Sequence, residues 1–230
     1  MKKSIFTIAA SVLLIFATTS CNNKTTNDQW VDLGLPSGTL WATCNLGADA
    51  PEQNGDYFAW GESKTKNVFS WESYAYGGEY DQTGATNPLT KYCSLPESGL
   101  NGFTDNLTTI EASDDAATVL LGNDACIPTK EQWDELMDNT TVEWTTVNDV
   151  KGLKFTSRTN EASIFLPAAG GCYDSGRYDE GSCGYYYSSS LNTEHPVHAW
   201  ACYLSANSQD MGSTPRYYGF TVRAVSHGQK

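Results

Sequence analysis

The chain predicts an α+β fold. Two capped helix signals stand in its middle, a run of short alternating segments follows them, and turn residues separate the regular pieces. Twenty glycines in 230 residues keep each piece short.

The first element in order is a leader. Lys2 and Lys3 form a basic start, Ile5 to Phe16 form an apolar stretch too short for a stable membrane span, and small residues run from Ala17 to Ser20. Cys21 directly after them resembles the signal of a bacterial lipoprotein, in which residues 1–20 are removed and Cys21 is acylated. Thr18 departs from the Leu-like residue usual there, and ordinary cleavage near Ser20 is the alternative. Residues 21–29 are then a polar tether without periodicity, and a domain spans residues 30–230. The expected location is the cell envelope, as an outer-membrane lipoprotein on the periplasmic face or the cell surface, held by lipid on Cys21.

Thr39 to Leu46 alternates, with Leu40, Ala42, Cys44 and Leu46 on one face, and predicts a half-buried strand. Residues 47–110 read as loop around a short run from Tyr57 to Trp60. Ser113 is placed to cap a helix whose first turn carries Asp114 and Asp115, followed by Ala116 to Leu121 and stopped by Gly122. Thr129 and Gln132 form a capping box, and Trp133, Leu136 and Met137 then share one helical face. Strands are predicted over 142–147, 153–156, 163–166, 185–188, 197–204 and 218–225, the last two pairing with each other.

Removing residues 1–20 takes away two lysines and no acid, so the net charge goes from −13 to −15. Such a chain repels phosphate backbones, and no nucleic-acid partner is expected. Six cysteines follow Cys21: Cys44, Cys93, Cys126, Cys172, Cys183 and Cys202. They are candidates for up to three disulfides among fifteen pairings, or for small buried hydrophobes. Cys172 and Cys183 bracket a loop rich in Gly and Tyr and are the first pair to test. None forms a Cys-x-x-Cys pair, which weakens zinc and dithiol chemistry.

Several segments together are recognisable. Residues 30–47 (WVDLGLPSGTLWATCNLG), 55–62 (GDYFAWGE), 127–133 (IPTKEQW), 163–170 (SIFLPAAG), 186–190 (YYSSS) and 219–225 (GFTVRAV) resemble the Fibrobacter succinogenes major paralogous domain, common in exported proteins of gut Bacteroidetes. That family is distantly similar to the formylglycine-generating and sulfatase-modifying group. The resemblance implies a C-type-lectin-like fold: small twisted antiparallel sheets, two helices, long loops, and termini close together. It does not imply catalysis, because Cys202 in Trp200-Ala-Cys-Tyr203 lacks the following Arg and the partner cysteine of the catalytic motif. The calcium ligand motifs of sugar-binding lectins are absent too; only Glu194-His-Pro196 and Thr86-Asn-Pro88 come near them.

No catalytic residue, metal ligand set or cofactor is expected. There is no Gly-x-Ser-x-Gly elbow, His-Glu-x-x-His pair or phosphate-binding glycine loop. Ser188-Ser-Ser190 reads as strand pairing and small core filling rather than a nucleophile. In an extended stretch, His195 and His198 point to opposite faces. The stronger signal lies between Tyr186 and Tyr218, where core-like Trp200, Tyr203 and Leu204 alternate with residues of binding-surface type. Tyr186, Asn192, Glu194, His195, His198, Asn207, Asp210, Arg216 and Tyr217 are therefore the candidate ligand contacts, with Tyr217 and His195 partly exposed and Trp200 and Phe220 buried. The alternative is that the tyrosines only cover a β-rich core. The functional expectation is a non-enzymatic binding module or adhesin for a glycan or a surface protein. The alternatives are an enzyme of the formylglycine-generating or glycan-processing type and a structural fimbrial-tip or envelope component.

Overall fold

A computed structural model describes residues 29–79 and 88–227; the leader, Cys21, the tether as far as Asp28, and Thr86 with Asn87 lie outside the described residues. The best local signal in the sequence becomes a helix. Thr129 accepts from the amide of Gln132, whose side chain returns to the Thr129 amide, and α2 (Lys130–Asn139) follows. Its apolar stripe is buried through Trp133 and Leu136, and Trp133 meets Trp41 edge-on at 4.7 Å. The earlier helix, α1 (Ala116–Leu121), starts from a different cap than the sequence suggested. Asp115 accepts from the amides of Thr118 (3.0 Å) and Ile127 (2.8 Å), so it ties the helix start to the next segment. Ser113 instead donates to Asp114, and Asp114 is taken up by Lys91 at 2.6 Å and the Tyr92 hydroxyl. Burial raises the Asp114 carboxyl, but hydrogen bonds from Lys91, Tyr92 and Tyr76 outweigh it and hold the group below its ordinary value.

Small antiparallel sheets make up most of the rest. The strands are β1 (Trp30–Asp32), β2 (Thr39–Ala42), β3 (Ala125–Cys126), β4 (Thr140–Val147), β5 (Val150–Ser157), β6 (Ser163–Pro167), β7 (Gly171–Tyr173), β8 (Gly176–Tyr178), β9 (Cys183–Leu191), β10 (His198–Ser205), β11 (Gln209–Pro215) and β12 (Val225–His227). They form sheets in the orders β1-β2-β12-β3, β4-β5-β6, β11-β10-β9 and β7-β8. The meander β4 to β6 agrees with the alternation read from sequence. Its first turn places Asn148 (φ 46°) and Asp149 (φ 66°) in the left-handed region that a two-residue hairpin loop uses. β1 and β12 both flank β2, which brings the two ends of the described chain into one sheet.

Two strand expectations are corrected. The ladder predicted over 39–46 stops at Ala42, because buried Arg223 takes the carbonyls of Ala42 and Thr43 and the Oδ1 of Asn45, bending the chain there. The strand predicted over 218–225 is not continuous and does not pair with the one over 197–204. Phe220 bridges to Phe58 and Thr221 to Tyr186 singly, and regular pairing begins only at Val225, against β2 and β3. The partners of β10 are β9 and β11, and the run of β11 from Gln209 to Gly212 has little strand preference.

The β9–β10 sheet has a core on each face. Tyr186, Cys202 and Leu204 pack toward Trp133, Leu153 and Phe155. Tyr187, Ala199 and Ala201 pack toward Trp60, Phe220 and Val222. Ser188, Ser189 and Ser190 are buried as expected, with the Ser190 hydroxyl accepting from the Lys130 amide at the start of α2. A third cluster joins Tyr57, Phe69, Trp71 and Tyr74 to Cys93 and Cys172. Cys44 is disulfide-bonded, whereas Cys93, Cys126, Cys172, Cys183 and Cys202 are free thiols, so no disulfide joins any two of the six candidates. Cys172 turns into that third cluster while Cys183 opens β9, and the expected pair is not made. Trp200 is half-buried rather than buried, with the Lys130 ammonium 5.4 Å above its ring.

Candidate functional site

The nine candidate ligand contacts do not form one surface. Tyr186 is fully buried, with its hydroxyl donating to the Pro167 carbonyl at 2.7 Å, because its position on β9 faces the α2 side of the sheet. Asn192 is 7 % exposed and shapes the turn into β10: it accepts from the amides of Glu194 and His195 and donates to Ser213. Arg216 is fully buried and donates to the Tyr74 hydroxyl and to the carbonyls of Tyr92, Pro196 and Lys91. These three cannot meet a ligand. Glu194 and His195 are exposed and His198 is half-buried at the start of β10; Asn207 and Asp210 are exposed at the other end of the β10–β11 hairpin. The eight residues of β10 hold the two groups about 25 Å apart. Burial, then the neighbouring His195, lowers the His198 imidazole below its ordinary value.

Tyr217 is half-buried and leads to a surface the sequence reading missed. Its ring lies 6.1 Å from Trp71, 6.4 Å from Tyr173 and 5.1 Å from Tyr218. The chain of rings then runs from Tyr218 to Tyr178 (6.3 Å), to Tyr185 (5.6 Å) and to Tyr203 (5.2 Å). Tyr173 is its most open member, 51 % exposed. Tyr178, Tyr185, Tyr203, Tyr217 and Tyr218 are half-buried, which is the posture of rings supported from behind.

Local sequence explains how the platform is assembled. β7 and β8 form a hairpin with Tyr173 opposite Gly176 and Gly171 opposite Tyr178, so both tyrosines share one face. A Cβ on Gly171 would come within 2.7 Å of the Tyr178 hydroxyl and 2.9 Å of Phe220, so only glycine lets the hairpin lie this close. Tyr203 lies likewise over Gly212, where an added Cβ would meet its ring at 2.5 Å. Phe220 is the support beneath: it stacks on Tyr185 at 5.1 Å and on Tyr187 at 4.8 Å. The Tyr185 hydroxyl donates to Asp179 at 2.6 Å. Burial pushes the phenols of Tyr178, Tyr185, Tyr203 and Tyr218 above their ordinary value, so they stay neutral hydrogen-bonding groups.

The opposite face of the hairpin carries Cys172 and Arg177 and looks into a polar recess of about 540 Å³ with Asp56, Lys66 and Asp174 on its walls. Its cations are already engaged: Lys66 pairs with Glu62 at 2.9 Å, and Arg177 lies 4.8 Å over the Tyr57 ring. Burial pushes the Cys126 thiol up to about 11 and raises Cys93, Cys172 and Cys202 as well, which disfavours the thiolate form of these four. Among the described residues no group of three His, Cys, Asp or Glu side chains converges on one point, and no helix is long and apolar enough to cross a membrane.

The signal for the platform was present in sequence only as Tyr173-Asp-Ser-Gly-Arg-Tyr178, a turn between two tyrosines. No protein-family model matches the chain, and neither a curated protein nor a solved structure is significantly similar to it.

Proposed function

We propose that this protein is a lipid-anchored cell-envelope module that recognises a glycan or a surface protein through its tyrosine platform, without catalysis. The observation that carries the reading is the unbroken series of ring contacts from Trp71 through Tyr217, Tyr173, Tyr218, Tyr178 and Tyr185 to Tyr203. Tyrosine offers wide amphipathic area at low entropy cost, and rings already locked against one another lose little freedom on binding. The fold we assign is C-type-lectin-like. Small antiparallel sheets, two helices, long loops and chain ends sharing one sheet support that assignment, as does the resemblance to the Fibrobacter succinogenes major paralogous domain. The basic start, apolar stretch and Cys21 support export and acylation.

Two experiments test this reading. A glycan and protein array probed with the soluble mature chain carrying Cys21→Ser should yield a ligand, and Tyr173→Ala should weaken that binding by about tenfold or more, as for a hot spot. The same substitution removes an exposed ring, so stability should stay within about 0.5 kcal/mol of the parent. Binding unaffected by Tyr173→Ala would move the site elsewhere. For the anchor, Cys21→Ala should shift the protein from membrane to soluble fractions in cells. Unchanged membrane association in that variant would refute acylation as the means of attachment.

A further inference from the structure

Large apolar side chains left in water are few in this protein, and they are not scattered. Six are exposed among the described residues, and Val119, Leu120 and Leu121 are three of them, consecutive on α1 at 50, 53 and 41 % exposure. The helix is amphipathic in the reverse of the usual sense: it buries Ala116 and Ala117 and turns its bulk outward. Nothing in its cap requires this, since the Asp115 and Gly122 ends are satisfied by backbone partners. Such an apolar ridge left in water at a helix end marks a contact surface.

We infer that this ridge rests in the interface of the lipid bilayer to which the chain is tethered. The inference rests on the anchoring reading given above. Leu121 and Gln29 line the same recess of about 380 Å³, so the ridge stands beside the point where the chain departs toward Cys21. From Cys21 to Gln29 there are eight peptide steps, which reach at most about 28 Å fully extended. The anchor therefore holds this pole of the domain within reach of the headgroups. A leucine-rich helix end buries its side chains at the boundary of headgroup and acyl chain. The acidic net charge favours a neutral or zwitterionic interface over an anionic one. Docking through α1 fixes the orientation of the domain relative to the membrane, where a bare tether would leave it free to tumble.

Hydrogen exchange tests this on the full mature protein. The acylated form is reconstituted into phosphatidylcholine vesicles and compared with soluble Cys21→Ser protein. Amides of residues 119–122 should exchange about fivefold more slowly on vesicles, because the fraying end of α1 is covered there. Leu120→Asp with Leu121→Asp, acylated and bound to the same vesicles, should abolish that slowing; both sites are exposed, so the variant folds. Equal exchange on vesicles and in solution overturns the inference, as does slowing that persists in the double variant. Sedimentation with vesicles is read separately. Failure of the acylated protein to sediment overturns the anchoring reading and this inference together, whereas sedimentation without protection overturns this inference alone.

Discussion

Arg216→Met should destabilise the protein by about 3 kcal/mol. The guanidinium is fully buried and has no carboxylate partner among the described residues; its donors are spent on the Tyr74 hydroxyl and three backbone carbonyls, and its carbon lies 4.7 Å from the centre of the Trp60 ring. Methionine fills much of the volume and spares the cost of burying a cation, which by itself is stabilising. It also takes the donor from three buried acceptors, each costing about 1–3 kcal/mol, and from the half-buried Lys91 carbonyl. The second effect is larger because there are four acceptors and one ion. Arg216→Lys should recover little of the loss, since a single ammonium cannot span acceptors that a planar fork reaches together. Urea unfolding monitored by tryptophan fluorescence reads the difference directly. A methionine variant as stable as the parent would mean that the carbonyls find other donors and that the arginine does not hold this region together.

Phe220→Ala should cost about 3–5 kcal/mol, the range for truncating a buried phenylalanine. Phe220 is 1 % exposed and stacks on Tyr185 and Tyr187, with Tyr203 and Tyr218 edge-on to it. The cavity would open directly beneath the platform, so the rings above it should lose their fixed geometry as well. The two consequences separate experimentally. Phe220→Leu should restore most of the stability, yet it should not restore ligand affinity in proportion, because leucine fills volume but does not stack. Equal recovery of stability and affinity would show that the platform needs only a filled floor, not an aromatic one.

Legibility in the sequence followed the range of the interactions. α2 was readable because its capping box and apolar stripe lie within a dozen residues, and the β4–β6 meander because alternation is a local pattern. α1 was placed correctly but capped from the wrong residue, since the choice of Asp115 over Ser113 depends on the distant Ile127 amide and on Lys91 drawing Asp114 aside. β11 was missed because its ladder to β10 holds Gly212, Ser213 and Pro215 where propensity points to loop. The site suffered most. Arginine and asparagine are read as surface residues by default, and the burial of Arg216 and Asn192 is decided by partners far along the chain. Half of a tyrosine platform is likewise invisible to a one-dimensional reading, because Tyr173 and Tyr217 meet only after the hairpin folds back over Phe220.

The position of β2 between β1 and β12 has a consequence in time. The amides of Ala42 and Leu46 donate to the carbonyls of Ala224 and Val222, and Arg223 donates to the carbonyls of Ala42 and Thr43. The β2 strand thus waits for β12, and the sheet that holds both cannot close until Val225 has been made. Pairings of such long separation form late and slowly. The locally paired sheets can form before them, and the segment from Val222 to Val225 then acts as the latch that closes the sheet holding β1 and β2.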